Sequence, residues 1–296
     1  MYSSFEEYSI AREKARLEKV SRAIATEEQE KTTAANDKDD SQNVATKPAI
    51  TPEEPPQTAL SPSLELLSQS TIPLADQLCE NGIAALNQGG FEAAIKLFSQ
   101  AIAANPNLVE AYNNRGIARG EIGLFQEALA DFDQALTLDA QCAAAYYARG
   151  TTHHKLGQAQ QSYNDLSQAI ALAPQWVDPY INRGLILTNS GLRSDALDDF
   201  NQALAIEPNN INALINRSSL YVRTGNYEGA LVDADLILSL DQNNATAHNN
   251  RGIALAGLGN NIPAKQALQT ALNLFTQQCD SEGQFRAQKF LNTLFS

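Results

Sequence analysis

Along the stretch from Val109 to Cys142, apolar and small residues recur at helical spacing rather than in alternation. Tyr112, Gly116, Ile117 and Ile122 mark one stripe, and Ala128, Phe132, Ala135 and Leu136 mark a second. The pattern predicts a helix over Val109–Ile122 and another over Phe125–Leu138. Gly123 separates them, because glycine takes the left-handed conformation that commonly ends a helix. Asp139-Ala140 ends the second. Elsewhere the equivalent break is Asn105-Pro106, Ala173-Pro174 or Glu207-Pro208, where proline cannot continue a helix interior.

The pattern repeats with a period of 34. Gly82, Gly116, Gly150, Gly184 and Gly252 fall in step, with Ser218 in the remaining place. A second glycine column follows at Gly89, Gly123, Gly157, Gly191, Gly225 and Gly259, and a small-residue column at Ala94, Ala128, Ser162, Ala196, Ala230 and Ala264. The first column lies mid-helix, where glycine costs roughly 1 kcal/mol relative to alanine. Its recurrence implies a compensating close contact between the paired helices, with the small-residue column as the opposite wall. Phe98, Phe132, Leu166 and Phe200 from second helices, and Tyr112, Tyr146, Tyr180 and Leu214 from first helices, supply the bulk. A hairpin of this kind leaves one apolar face open for the next hairpin to cover.

An aromatic, then Gly, Ala, Phe, Ala and Pro at fixed offsets in a 34-residue unit resembles the tetratricopeptide repeat (TPR) family. The resemblance covers six units: 75–108, 109–142, 143–176, 177–210, 211–244 and 245–278. It implies an all-α fold, a right-handed superhelical solenoid of antiparallel helix hairpins whose first helices line a concave groove. Two units depart from the pattern. Unit three has Ala159 and Ser162, so looser packing is expected there. Unit five has Ser218 for Gly, Ala234 for Phe and Ile237 for Ala, which reads as a compensated repacking. The stretch 279–296 is expected to form a capping helix, with Phe285, Leu291, Leu294 and Phe295 as its face.

Two charged columns run through the array. Arg115, Arg149, Arg183, Arg217 and Arg251 precede the mid-helix glycine position, and Asp131, Asp165, Asp199 and Asp233 lie in the second helices. Unit one lacks both, with Asn81 and Leu97 in their places. Columns that come and go almost together predict a structural ladder of Arg–Asp pairs, each Asp near the Arg of its own unit, the next unit, or both. Arginine suits this because its planar fork bonds two acceptors.

In the resembled family, first-helix residues flanking this arginine face the groove. Here the preceding column reads Glu80, Asn114, Ala148, Asn182, Asn216, Asn250. The four asparagines resemble the ladder in the TPR domain of the transferase that attaches O-linked N-acetylglucosamine. An asparagine amide offers both donors and an acceptor to a peptide backbone. Asn113, Tyr147, His154 and Asn249 are further candidates for a peptide groove. Cys79 and Ile83 stand where the family's chaperone-tail clamp would need Lys and Asn, which argues against that clamp. His153 and His154 are adjacent, about 100° apart on a helix, and make a poor metal pair. No catalytic constellation, cofactor loop or metal motif stands out, so a non-enzymatic scaffold binding a protein or peptide segment is expected. The competing readings are a self-associating structural component and an assembly factor for a membrane complex.

The chain of 296 residues carries a net charge of −13. That disfavours a nucleic-acid partner, which would need a basic face. Three widely spaced cysteines suggest neither a zinc site nor a disulfide framework. No apolar run reaches the ~20 residues of a membrane span, and the start lacks an apolar secretory core. A cytoplasmic protein, monomeric or weakly self-associating, is therefore expected. Residues 1–30 read as a charged helix. Residues 31–74, with Pro48, Pro52, Pro55, Pro56 and Pro62 among polar residues, read as a disordered linker.

Overall fold

The computed structural model describes residues 62–295, so the readings of 1–61 lie outside the described residues. Every described element is a helix: α1 (Pro62–Asn87), α2 (Phe91–Ala104), α3 (Val109–Glu121), α4 (Phe125–Leu138), α5 (Ala143–Lys155), α6 (Ala159–Leu172), α7 (Val177–Asn189), α8 (Arg193–Ile206), α9 (Ile211–Thr224), α10 (Tyr227–Leu240), α11 (Ala245–Gly257), α12 (Asn261–Gln277) and α13 (Ser281–Phe295). The chain divides between Gln158 and Ala159 into two compact units.

In the first unit, α1 packs on α2 and α3 on α4, and the first helices α1, α3 and α5 lie side by side. Phe98, Ala94, Ala101, Ala111 and Ala118 form one buried cluster, and Ala128, Phe132 and Ala148 another. In the second unit, the hairpins α7/α8, α9/α10 and α11/α12 follow one another, and α7, α9 and α11 are neighbours. Their core joins Tyr180, Leu204, Leu214 and Ile237. α13 packs against α12 and α11, burying Ala287 and Leu291 against Phe275, Leu268 and Ile253. It therefore covers the last hairpin.

The two glycine columns do different physical work. A Cβ on Gly116 would lie 2.6 Å from the ring of buried Phe132, and one on Gly184 would lie 2.6 Å from that of Phe200. The absent side chain is what seats the ring of the second helix on the backbone of the first. At Ser218 the facing residue is Ala234, and the space a ring would fill is shared with the serine hydroxyl, which lies 3.3 Å from the Ala230 carbonyl. The second column needs backbone freedom rather than space. Gly123, with φ 82°, has nothing near its missing Cβ, so its turn requires the left-handed conformation itself. In the second unit, Asn210, Asn226 and Asn244 also cap α9, α10 and α11, accepting from backbone N–H groups at 3.0–3.1 Å.

Two expectations are corrected. The expected linker 31–74 overlaps α1, which begins at Pro62. Proline at the first position of a helix starts it rather than breaks it, because its missing N–H would have had no intrahelical partner. On α13 the buried face is Ala287 and Leu291, whereas Phe285 is 69 % exposed and Leu294 also faces solvent. The small Ala287 allows α13 to approach α12 closely, and Phe285, a half turn away from it, is left outside.

Candidate functional site

The charged columns form a relay with an additional member. Arg115 donates to both Asp131 oxygens, through Nε at 3.0 Å and Nη2 at 2.7 Å, while Nη1 reaches back to Ser99 Oγ at 3.1 Å. Arg183 repeats this with Asp199 at 2.9 and 2.8 Å and Ser167 at 2.9 Å. Arg217 does so with Asp233 at 2.9 and 2.7 Å and Asn201 at 2.8 Å. Each guanidinium thus binds the second helix of its own repeat and that of the preceding one. Arg149 reaches back to Asp133 at 2.7 Å and Arg251 to Asp235 at 2.6 Å. In the last repeat the Asp column holds Ala267, which leaves Arg251 the backward bond.

The rearward acceptors, Ser99, Asp133, Ser167, Asn201 and Asp235, form a column that the sequence reading missed. Its signal was available: a position two residues after the Asp column that carries a short acceptor in the first five repeats, each of which is followed by another. Aromatic rings complete the setting, with Arg115 lying 5.6 Å from the Tyr112 ring centre and Arg183 lying 5.5 Å from that of Tyr163. The hydrogen bond to Asp233 raises the pKa of Arg217 against the opposing effect of burial. Guanidinium groups occupied on both sides have little capacity left for an outside anion.

The asparagine column lies on the first helices. In the second unit α7, α9 and α11 bring Asn182, Asn216 and Asn250 into one row, the first two half-buried. Asn250 differs. It is buried, and its amide nitrogen donates to Ser219 Oγ at 2.9 Å and Ser218 Oγ at 3.3 Å. In the first unit, half-buried Asn114 on α3 neighbours α5, which carries half-buried Tyr147 and exposed His154. His153 pairs through Nδ1 with Gln158 Oε1 at 2.6 Å. Asn113 and Asn249, one residue earlier in the pattern, are only 7 % and 8 % exposed, and neither Oδ1 has a hydrogen-bond partner.

Cys79 lies buried on α1, which packs beside α3. Burial and the fields of Glu110, Asp76 and Glu80 push the Cys79 thiol up to about 11. Among the described residues, no group of His, Cys, Asp and Glu is placed to hold a metal ion. None of the described helices is long and apolar enough to cross a membrane.

The comparisons agree with this architecture. A family model described as "TPR repeat" matches residues 84–123, and models described as "Tetratricopeptide repeat" match 113–175 and 177–210. No curated protein matches the chain. Among solved structures, PilF of Pseudomonas aeruginosa is similar with a TM-score of 0.66 at 18% identity, covering 74% of this chain and 99% of its own. YrrB, described as a TPR protein with an unusual peptide-binding site, gives 0.55 at 23% identity over 65% of this chain and 97% of its own. A tetratricopeptide repeat protein from Parabacteroides merdae gives 0.56 at 18% identity over 75% and 93%. With helix hairpins in place, two glycine columns in step and three matched segments, the chain belongs to the tandem tetratricopeptide-repeat family.

Proposed function

We propose that this protein is a non-enzymatic scaffold, working in the cytoplasm, that binds an extended protein segment along the faces of its first helices. The observation that carries the reading is the row of half-buried amides at Asn182 and Asn216 on neighbouring α7 and α9. Adjacent packed helices stand roughly 8–10 Å apart, and an extended peptide advances roughly 3.3–3.6 Å per residue. Each asparagine would therefore meet a peptide group at about every third residue, whatever the side chain. YrrB, which has a similar fold, is described as having a peptide-binding site, and that supports peptide binding as the function here. In this reading 75–278 is the binding array and 279–296 its cap. Asn250 is buried, and its amide nitrogen is engaged by Ser218 and Ser219.

The test is selection of random peptides displayed on phage against the immobilised full chain and against an Asn114→Ala/Asn182→Ala/Asn216→Ala version. Peptides enriched on the first and lost on the second are expected. Identical enrichment on both would refute groove binding through these amides.

A further inference from the structure

Resting on that reading, we infer that Ser219 closes one rung of the asparagine row. By holding the Asn250 amide inside the protein, it takes that residue out of the binding surface. A segment bound along the second unit is then held by the amide on α9 and not by the one on α11. The contrast between the two amides carries the inference. Asn250 is buried, and its Nδ2 donates to Ser219 Oγ at 2.9 Å and to Ser218 Oγ at 3.3 Å. Asn216 is half-buried, and among the described residues its side chain has no hydrogen-bond partner. Ser219 precedes Asn250 by 31 residues. The residue at that spacing before Asn216 is Leu185, which packs against the core of the second unit. In the first unit, half-buried Asn114 has Ile83 in the same relation, and its side chain likewise has no partner among the described residues.

The chemistry of the neighbouring side chain decides between the two states. A hydrocarbon such as Leu185 offers an amide nothing, so the donors of Asn216 are left for water or for a peptide carbonyl. A peptide bond formed there replaces water alone. At Asn250 a peptide carbonyl would first have to displace Ser219, and the serine hydroxyl would lose its donor. One bond within the protein is then exchanged for one to the ligand, with almost no net gain. The lock follows from the departure of the fifth repeat from the common pattern. Ser218 stands in the glycine column opposite Ala234, so both hydroxyls come from one stretch of α9. Ser219 acts through Asn250 and is a positioning residue. It limits the length of segment that the second unit holds by one helix spacing, or about three peptide residues.

The experiment uses peptides selected from a random phage library, synthesised with a fluorescent label and titrated by anisotropy. With peptides selected on the native full chain, Asn216→Ala should weaken binding about fivefold, and Asn250→Ala should leave it within about twofold. A second selection is made on Ser218→Ala/Ser219→Ala, which removes both hydroxyls without adding bulk. Circular dichroism first shows that its helix content equals that of the native chain. In that background Asn250→Ala should weaken binding about fivefold. If Asn250→Ala already weakens binding to the native chain as Asn216→Ala does, the rung is open and the inference is wrong, while groove binding stands; this arm needs no serine variant. If Asn250→Ala is silent in both backgrounds, Ser219 is not what withholds the amide, and the inference is again wrong. If Asn216→Ala is silent as well, or the native chain selects no peptide, the groove reading falls and takes the inference with it.

Discussion

The exchange of Gly and Phe for Ser218 and Ala234 invites a direct test of how the hairpins are held. Consider Gly184→Ser in the hairpin α7/α8. The new Cβ would lie 2.6 Å from Phe200 Cε1 and 3.0 Å from Cδ1 and Cζ. Phe200 is buried, so its ring can yield only by displacing its neighbours. Overpacking of this kind costs about 1–3 kcal/mol, offset by a few tenths to 1 kcal/mol because serine is the better helix former. The net expectation is a loss of about 1–2 kcal/mol. Phe200→Ala alone should cost about 3–5 kcal/mol through the cavity it leaves. In that background the obstacle to serine is gone, and Gly184→Ser should become neutral or stabilising. The pair should therefore be coupled by at least about 1 kcal/mol in a double-mutant cycle. Urea unfolding followed by circular dichroism at 222 nm reads all four proteins. Equal costs for Gly184→Ser in both backgrounds would show that the ring does not sit on the glycine, and the account of the first glycine column would fail with it.

Other consequences can be checked in the same way. Asp199→Asn strips one partner from the buried Arg183 pair and should cost about 3–5 kcal/mol, whereas Asp235→Asn, at a solvent-exposed pair with Arg251, should cost under about 1 kcal/mol; urea midpoints decide between these values. Asn250→Ala should destabilise by about 1 kcal/mol through its lost bonds to Ser218 and Ser219, while Asn216→Ala should leave stability within about 0.5 kcal/mol. Asn244→Ala removes the cap of α11 and should cost about 1 kcal/mol, seen as faster amide exchange in the first turn of that helix. The folded Cys79 thiol is raised from 9.0 to about 11, so the folded state holds its proton longer than the unfolded chain does. Stability should accordingly fall as pH rises from about 9 through about 11. Cys79→Ala should flatten that alkaline decline in thermal melts taken across the range.

The helix hairpins were legible because their determinants are local and recur: Gly123 ends a helix by its own conformation, and Phe132 needs Gly116 sixteen residues before it. The rearward arm of the arginines was harder to see. Its acceptors vary between Ser, Asp and Asn, so a column defined by identity does not form even though one defined by hydrogen-bonding capacity does. Asn250 shows the reverse difficulty. It matches Asn216 in sequence, but Ser218 and Ser219 in its neighbouring repeat, where that of Asn216 has Gly184 and Leu185, draw its amide inward. The start of α1 at Pro62 was obscured because proline's meaning depends on its place in a helix. Likewise, the outward position of Phe285 depends on how closely Ala287 lets α13 approach, which periodicity alone does not report.

The backward-reaching arginines bear on how such a chain can lengthen. A 34-residue segment carries both a guanidinium, which seeks the module before it, and a short acceptor, which the module after it will seek. Duplicating or deleting one whole segment therefore leaves every junction with both of its halves. Insertion of a fraction of a segment would not. The joint is a matched fastener copied along with the part it fastens, so the array can grow or shrink by integers without any new partner residue having to arise.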